Sequence, residues 1–424
     1  GTSVAMNSDG TKFIVGADQE DFSGHTNRGA AYIFTYSGGS WDTGVRIINA
    51  NGFSDDRFGH SVAMSSDGTK VIVGEWQGRL NGSRTGAAHI FTYDASNTTW
   101  DAGVQIQESG GSAGDSFGWS VDINSDGTKV IVGALDDDNS YNFTGGAYIF
   151  TYDGTSWSQQ QRLISSDRAT YDSFGSSVAM DSTGTTVIVG APGDDSSVGS
   201  AYIYTYDASN ATWMASGGYE TKKIQASSQT TQPRFGASVD VSGDGTKFIV
   251  GENWGDMSGG GSNAGSAYIY TYDGSDWGNL SSSEAHLTNP RSVNTRATDE
   301  FGWSVAMSSD GKNVIVGARY ALESPLAAAG SAYIYTYSGS SWGTGVEITA
   351  SDKADNDYFG WSVAMNSDGT NVIVGANQVG AERGAAYFYK PNQITDSGFV
   401  FDASTQVFTA TGTGIVSGST VQLE

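Results

Sequence analysis

Residues 117–164 read FGWSVDINSDGTKVIVGALDDDNSYNFTGGAYIFTYDGTSWSQQQRLI, and this stretch decides the fold because it contains four strand-like segments. The first two, FGWSVDI and TKVIVGA, flank Ser-Asp-Gly, a tight hairpin turn in which glycine supplies positive φ. GGAYIFTY is rich in β-branched and aromatic residues, and the fourth segment follows from Trp157 to Ile164. In the first segment, strand alternation would place Phe117, Trp119 and Val121 on one face.

The same pattern is repeated along the chain. Its Ser-Val pair recurs seven times, beginning at Ser3, Ser61, Ser120, Ser177, Ser238, Ser304 and Ser362. Seven copies of a four-stranded antiparallel unit, none of which can bury its faces alone, predict an all-β fold, a seven-bladed β-propeller. We assign residues 1–390 to the propeller and residues 391–424 to a short C-terminal β tail.

Composition agrees with many short strands and restricts the function. Glycine is common (59 residues) and proline scarce (5), and the net charge is −25. Such an acidic chain is a poor ligand for nucleic acid or anionic membranes. Cysteine is absent, which excludes disulfides and thiol chemistry, and no apolar run reaches the ~20 residues that a membrane span needs. We expect neither nucleic-acid binding nor membrane insertion.

The repeat resembles the FG-GAP repeat family. Phe-Gly pairs open the first strand at Phe58, Phe117, Phe174, Phe235, Phe301 and Phe359, and Gly1 looks like the second half of a seventh pair. The Gly-Ala-Pro element is complete at residues 190–192. The pattern is most similar to the bacterial and algal surface-protein branch, and integrin alpha heads are more distant relatives. The resemblance implies a propeller and an extracellular or cell-surface location.

One family feature is missing from the repeat. Many blades of the family carry a calcium-binding Asp-x-Asp/Asn-x-Asp-Gly-x-x-Asp loop between the first two strands. Here the loop is shortened to Ser-Asp-Gly, as at residues 8–10, and one carboxylate cannot supply the six to eight oxygens that Ca²⁺ takes. We expect no calcium at these turns and no other cofactor.

The tail should complete the seventh blade. That blade has no tryptophan-bearing fourth strand before Pro391, and FVFDASTQVFTATG, residues 399–412, is the expected source of the missing strand. Residues 413–424 alternate like one more strand. They would extend the blade, begin another domain or pair with a neighbouring molecule, so self-association through this strand is one expectation.

Recognition is expected on the face that carries the variable loops. Connections after the second and fourth strands differ widely between copies, and variable loops on a repeated scaffold usually carry binding. Six aromatic candidates map to that face: His60, Trp76, Trp119, Trp254, Trp303 and Trp361. Other copies have Thr2, Ser176 or Ala237 where three of them have tryptophan, so the blade does not require the ring. Ligand stacking and filling of gaps near the channel mouth are both open interpretations.

Two further sets of candidates come from short motifs. Acidic loops could hold Ca²⁺ or remain solvated surface charge; they contain Asp136, Asp137, Asp138, Asp194 and Asp195. Asn-x-Ser/Thr sequons are candidate glycosylation sites and favour a secreted glycoprotein; they begin at Asn81, Asn97, Asn142, Asn210 and Asn279.

Signals for catalysis are weak. A Gly-x-Ser-x-Gly sequence at 110–114 lies in a loop rather than in the strand–turn–helix elbow that activates such a serine. We therefore expect no enzyme but an extracellular adhesion or recognition module that binds a glycan or an extracellular protein. The alternative is a structural subunit of a filament or surface layer, assembled through the C-terminal strand.

Overall fold

The computed structural model describes residues 1–80, 82–137, 143–213, 219–227, 232–255, 263–277, 284–291, 298–322, 326–379, 384–390, 398–402, 407–411 and 421–422, the last three ranges by their backbone only. Seven antiparallel sheets form a ring, and each sheet is one blade. The first strand of each blade contacts the first strand of both neighbours, including β1 and β29, so these strands surround the central axis and the ring is closed.

We label the four strands of each blade A to D in chain order. Strand A lies nearest the axis, and strand D lies at the outer edge. Blade 1 contains β1 (Ser3–Met6), β2 (Lys12–Ala17), β3 (Ala30–Ser37), β4 (Ser40–Trp41) and β5 (Val45–Ile47); blade 2 contains β6 (Phe58–Met64), β7 (Lys70–Glu75), β10 (Ala87–Asp94), β11 (Thr99–Trp100) and β12 (Val104–Ile106), with the loop hairpin β8 (Arg79–Leu80) and β9 (Ser83–Arg84); blade 3 contains β13 (Phe117–Ile123), β14 (Lys129–Ala134), β15 (Gly146–Tyr152) and β16 (Trp157–Leu163). In blades 1 and 2, strand D consists of two short pieces that both pair with strand C.

The remaining blades have the same order. Blade 4 contains β17 (Ser177–Met180), β18 (Thr186–Ala191), β19 (Ser200–Thr205) and β20 (Lys222–Ile224); blade 5 contains β21 (Phe235–Val241), β22 (Lys247–Glu252), β23 (Ser266–Thr271) and β24 (Glu284–Leu287); blade 6 contains β25 (Phe301–Met307), β26 (Asn313–Ala318), β27 (Ser331–Thr336) and β28 (Val346–Ile348); blade 7 contains β29 (Phe359–Met365), β30 (Val372–Ala376), β31 (Ala385–Tyr389), β32 (Gly398–Asp402), β33 (Val407–Thr411) and β34 (Val421–Gln422). The all-β, seven-bladed prediction is confirmed.

The core lies between blades rather than within them. Strand B is buried almost throughout, because both of its faces are covered by a neighbouring blade. Seven apolar clusters fill the seven junctions; the one between blades 2 and 3 joins Ile72 and Ile90 to Phe117 and Val130. Each such side chain contributes ~1.5–3 kcal/mol when fully buried, which a single blade could not achieve alone.

A ring of serine hydrogen bonds locks each blade to the next. The serine of every Ser-Val pair donates its hydroxyl to the glycine carbonyl of the following Phe-Gly pair, at 2.8–3.0 Å. Ser362 closes the circle by donating to Gly1, which confirms that Gly1 holds the Phe-Gly glycine position of blade 1.

The A–B turns form a second ring; five of them are Ser-Asp-Gly, blade 4 has Ser-Thr-Gly and blade 5 has Gly-Asp-Gly. The backbone N–H of the first residue of each turn donates to the carbonyl of the first residue of the next turn at 2.9–3.1 Å, through Ser8, Ser66, Ser125, Ser182, Gly243, Ser309 and Ser367 and back to Ser8. Asp9 accepts hydrogen bonds from the backbone and side chain of Thr11, so it stabilises the turn. The repeated turn sequence therefore has a structural role.

The predicted alternation in strand A is wrong for Trp119. Phe117 pairs with Ala134 and Ser120 with Gly133, so Gly118 and Trp119 are extra residues in a bulge. Gly118 has a φ of 90°, which glycine adopts without strain. Bulges redirect side chains: Phe117 enters the core, whereas Trp119 remains half-buried at the end of the strand. The same irregularity occurs in blades 2, 5, 6 and 7.

The long connections all lie on one face, here called the upper face. The B–C loop of each blade ends beside the start of strand A in the next blade, as in the bridges Gly29↔Phe58 and Gly86↔Phe117. The D–A connections end at the same strand starts. The A–B and C–D turns therefore lie on the opposite, lower face, and variable and repeated loops are separated by the ring.

Six tryptophans that follow the C–D turns pack against the outer parts of the blades. Trp41, Trp213 and Trp277 are buried, and Trp100, Trp157 and Trp342 are half-buried against neighbouring clusters. Trp41 also contacts Phe388 of blade 7 at 5.1 Å between ring centroids. These rings hold blades together, as their repetition predicts.

The tail lies along blade 7. β32 pairs with β31, and β33 and β34 follow it in a six-stranded sheet. The domain boundary at residue 390 stays a prediction. The helical segment Asp194–Ser197 contains three residues with positive φ and is a tight turn. No helix in the described ranges is both long and apolar enough to cross a bilayer.

Candidate functional site

Three positions in each blade surround the upper end of the central channel, here called the upper mouth. The inner position follows Phe-Gly and is occupied by Thr2, His60, Trp119, Ser176, Ala237, Trp303 and Trp361. The pre-Phe position precedes the phenylalanine of Phe-Gly in blades 2 to 7 and is occupied by Arg57, Ser116, Ser173, Arg234, Glu300 and Tyr358. The post-B position, the first residue after strand B, is occupied by Asp18, Trp76, Leu135, Pro192, Asn253, Arg319 and Asn377.

One aromatic cluster, cluster I, spans blades 2 and 3. The His60 ring lies 4.5 Å from that of Trp119 and 5.8 Å from that of Trp76. Trp76 and Trp119 meet edge to face at 5.2 Å. All three side chains are half-buried, and the Trp76 indole N–H has no hydrogen-bond partner among the described residues. Cluster I is therefore a fixed aromatic surface at the channel rim.

A carboxylate from blade 1 supports cluster I. Asp18 accepts a hydrogen bond from Thr2 at 2.8 Å and lies 3.4 Å from His60 Nδ1. Burial raises the pKa of Asp18, but hydrogen bonds from His60 and Thr2 and the nearby Arg57 charge outweigh burial and lower this pKa below its usual value. Asp18 thus stays ionised and orients the imidazole.

A second cluster, cluster II, spans blades 6 and 7. Trp303 and Trp361 lie 5.2 Å apart, and the Arg319 guanidinium carbon sits 3.1 Å from the centroid of Trp303 and 4.6 Å from that of Trp361. Arg319 is also paired with Glu300 at 2.8 Å. Burial raises the pKa of Glu300 although Arg319 opposes the rise. The cation covers one face of Trp303 and holds both rings in place.

Two more groups extend cluster II. Tyr358 lies 6.3 Å from Trp361 and 5.1 Å from Tyr320. In blade 5, the Arg234 guanidinium stacks on Trp254 at 3.5 Å. Blades 5 to 7 therefore present a nearly continuous aromatic and guanidinium wall at the mouth.

Blades 1 and 4 have no aromatic side chain at the mouth positions. Blade 4 has Ser173, Ser176 and Pro192 at its three positions, and blade 1 has Thr2 at the inner position and Asp18, which is hydrogen-bonded to Thr2, at the post-B position. Because blade order follows chain order, these two blades separate cluster I from cluster II on both sides. The mouth therefore has two bulky walls and two open ends.

The structure thus brings the six aromatic candidates into two groups rather than one. His60, Trp76 and Trp119 form cluster I, Trp303 and Trp361 form the centre of cluster II, and Trp254 belongs to its blade 5 extension. Sequence reasoning missed Arg319, Glu300, Arg234 and Tyr358. Aligning the repeats at the pre-Phe and post-B positions would have revealed them, because the residues there differ in size and charge between copies.

The acidic candidates are divided between two blades and are already engaged. Asp137 binds Arg162 at 2.8 Å and accepts from Tyr148. Lys223 bridges Asp194 at 2.7 Å and Asp195 at 3.0 Å, and it also reaches Asp167. Lysine and arginine thus neutralise much of this charge.

Metal binding at these loops stays a prediction. Asp136 accepts a hydrogen bond from Ser116 at 2.7 Å, and Asp138 lies outside the described residues. Within the described ranges, no three His, Asp or Glu side chains are grouped so that they could hold a metal ion.

Two of the five sequons can be placed. Asn97 and Asn210 are exposed in C–D turns of the lower face, and their side-chain amides donate to Asp94 and Asp207, each at 2.6 Å. Asn81, Asn142 and Asn279 lie outside the described residues. Use of the sequons stays a prediction.

An exposed aromatic pair on the upper face was not anticipated. Phe143 and Tyr171 stack at 5.5 Å with 14° between their planes and are 40% and 64% exposed. Both have positive φ, 58° and 73°, a conformation that costs bulky residues about 1–3 kcal/mol. Corresponding positions elsewhere carry smaller or more polar residues: Asn27, Ser197, Asn263 and Ala328 for Phe143, and Asp55, Gly114, Gln232, Thr298 and Asn356 for Tyr171.

Two half-buried carboxyl groups also escaped the sequence analysis. Asp122 and Asp240 occupy a strand A position that is alanine in the other blades, and they accept backbone N–H groups from Met180 and Met307 of the next blade. Burial raises the pKa of each to about 7, and the Asp240 charge adds to the rise for Asp122. These two side chains join neighbouring first strands rather than forming part of the mouth.

Comparison with known proteins supports the repeat unit. A model of the FG-GAP repeat matches residues 41–91, 100–150, 157–204, 219–270, 283–335 and 342–389, together more than half of the chain. Every match ends in strand C of a blade. No curated protein matches the chain in sequence.

A solved structure shows the same fold. Kuenenia stuttgartiensis hydrazine synthase is similar with a TM-score of 0.53 and 13% identity, over 98% of this chain and 96% of that chain. At this identity the similarity concerns the fold alone.

Proposed function

Since the chain belongs to the FG-GAP repeat family, we propose that it is a non-catalytic extracellular recognition module that binds a glycan or a protein through the upper mouth. FG-GAP repeats are typical of extracellular or surface proteins, and the propeller is compatible with binding either class of partner. The fold does not identify the ligand, which depends on the side chains of the site.

The proposal rests on one repeated position, at which the size of the side chain differs between blades. The inner position has tryptophan in three blades and Thr2, Ser176 or Ala237 in three others, although each of the seven blades is an antiparallel sheet with the same strand order. Folding therefore does not require these rings. Half-buried, prearranged aromatic side chains at a concave rim are typical of binding sites.

The charge of the chain limits the partner. A net charge of −25 repels polyanions and favours neutral or basic ligands. At the mouth, Arg319 is paired with Glu300 and Arg57 lies 3.9 Å from Asp18, so carboxylates already face these two cations. We propose neutral glycans or basic extracellular proteins as the ligand classes.

Replacing mouth rings by residues that other blades use tests the proposal. Trp303→Ala combined with Trp361→Thr copies blades 5 and 1 and should lower binding at least tenfold on a glycan array and a panel of purified extracellular-matrix proteins. The melting temperature should change by only a few degrees. Trp213→Ala, which removes a fully buried ring, is the matched control and should reduce stability without removing binding from the folded fraction.

Two results would contradict the proposal. Binding that is unchanged in the double variant would place the site elsewhere. Unfolding of the double variant at room temperature would mean that these rings are core residues.

A second candidate function is assembly into a filament or surface layer. It is favoured by blade 7, whose sheet continues through β33 to β34 and ends in an outer strand. An outer strand offers unpaired N–H and C=O groups to another chain. Analytical ultracentrifugation should then show polymers that disappear when residues 413–424 are deleted, and a monomer at all concentrations would reject this function.

A further inference from the structure

We propose that the upper mouth is a slot for a linear, uncharged oligosaccharide that lies across the ring from blade 1 to blade 4. This inference rests on the proposed function and narrows its ligand class. It follows from which blades carry bulky side chains at the mouth and which do not.

The distribution of side-chain size gives the direction of the slot. Bulky groups from cluster I occupy blades 2 and 3, and the wall formed by cluster II occupies blades 5 to 7. Blade 4 has only Ser173, Ser176 and Pro192 at its mouth positions, and blade 1 has no ring there but Thr2 and Asp18, which are hydrogen-bonded to each other. Since blades follow chain order around the axis, the open ends lie three blades apart along one wall and four along the other.

Both walls are rigid before any ligand arrives. His60 is held by Asp18 and packed on Trp119, while Arg319 is held by Glu300 and packed on Trp303. Among the described residues, no ring contact joins cluster I to cluster II. The walls therefore stand apart, and a ligand does not have to separate them. Such preorganisation reduces the entropy cost of binding.

The chemistry of the walls favours sugar rings. Aromatic faces and edges pack against the C–H faces of pyranose rings, and the partly buried polar groups beside them can accept or donate hydrogen bonds. Arg319 is paired with Glu300, and Arg57 lies 3.9 Å from Asp18, so carboxylates already face these two cations. The third guanidinium, Arg234, is stacked on Trp254, and an anionic sugar would meet a net charge of −25. A slot that is open at both ends suits a chain rather than a terminal sugar.

The decisive variant closes one end of the slot with a residue that the fold accepts. Ser176→Trp places at blade 4 the residue that blades 3, 6 and 7 carry at the same position. Ser96→Trp, which adds the same ring to an exposed C–D turn of the lower face, is the matched control. Both variants should melt within a few degrees of the wild-type protein.

Binding is measured by isothermal titration calorimetry with neutral ladders of cello-oligosaccharides and chito-oligosaccharides of one to eight units. For at least one ladder, affinity for the wild-type protein should rise tenfold or more between two and six units. Ser176→Trp should lower affinity for the hexamer at least tenfold, and Ser96→Trp should change it less than twofold.

Other outcomes separate the two proposals. Affinity that is independent of chain length, or unchanged in Ser176→Trp, would overturn the slot while leaving a mouth site that depends on Trp303 and Trp361. Absence of binding by both ladders at millimolar concentration would also overturn the slot. Binding of a basic protein that is lost in the Trp303/Trp361 variant would then retain the proposed function, and loss of every mouth-dependent ligand would reject both.

Discussion

Replacing Glu108 by glutamine should stabilise the protein, and increasingly so as the pH rises. Glu108 is 6% exposed, and neither of its carboxyl oxygens has a hydrogen-bond partner among the described residues. Burial, together with the nearby negative charges of Asp115 and Asp137, raises the pKa of Glu108 from 4.5 to about 9. The folded protein therefore keeps a proton that the unfolded chain releases above pH 4.5.

The sign and size of the effect follow from that difference. Folding takes up one proton between pH 4.5 and about 9, so the contribution of Glu108 to stability is complete below pH 4.5 and is lost progressively as the pH rises. At 1.36 kcal/mol per pH unit, the loss is about 3 kcal/mol at pH 7. Glu108→Gln has nearly the same shape and no proton to take up, so it should recover this amount.

Urea denaturation between pH 4.5 and 8 is the assay. The free energies of unfolding of wild type and Glu108→Gln should agree near pH 4.5, which serves as the internal control, and should diverge by about 3 kcal/mol at pH 7. A difference that does not vary with pH, or a wild-type protein that is more stable than the variant at pH 8, would refute the reasoning.

Three further predictions concern stability. Glu252→Gln should likewise stabilise the protein from pH 4.5 to about 8 in urea titrations, because burial raises the pKa of Glu252 to about 8. Gly118→Ala should cost at least ~2 kcal/mol in the same assay, since a Cβ at φ 90° would clash with the carbonyl oxygen of Ala87; a smaller loss would show that the bulge adapts. Tyr171→Asn should leave the calorimetric melting temperature equal or higher, because relief of positive-φ strain offsets the lost stacking on Phe143; a marked fall would make the pair structural.

Much of the fold was predictable because its signals are local and repeated. Ser-Asp-Gly specifies a hairpin wherever it occurs, and seven Ser-Val pairs at nearly constant spacing specify seven similar sheets. Gly1 was recognised as half of a motif and accepts the closing hydrogen bond from Ser362. The bulge was missed because alternation assumes that every strand residue has one partner, whereas Gly118 and Trp119 are extra.

The candidate site was predictable only in part. Comparing copies identified the tryptophans that the blade does not need, but it did not show which of them meet. Trp303 and Trp361 are 58 positions apart, and Arg319 lies between them in the chain and over their rings in space. The sequence also did not show that the charge of the acidic loops is neutralised, because Arg162 and Lys223 approach these loops from other strands of the sheets.

The sequence by itself determined the number of blades, the strand order within each blade and the face that carries the variable loops. These properties depend on turn residues and hydrophobic periodicity, which act over a few neighbouring residues. Only the tertiary structure decided that the mouth has two aromatic walls with open ends at blades 1 and 4, and that Glu108 keeps its proton. Closing the ring sets the distances between side chains about 60 residues apart, and those distances govern ring contacts, ion pairs and pKa values.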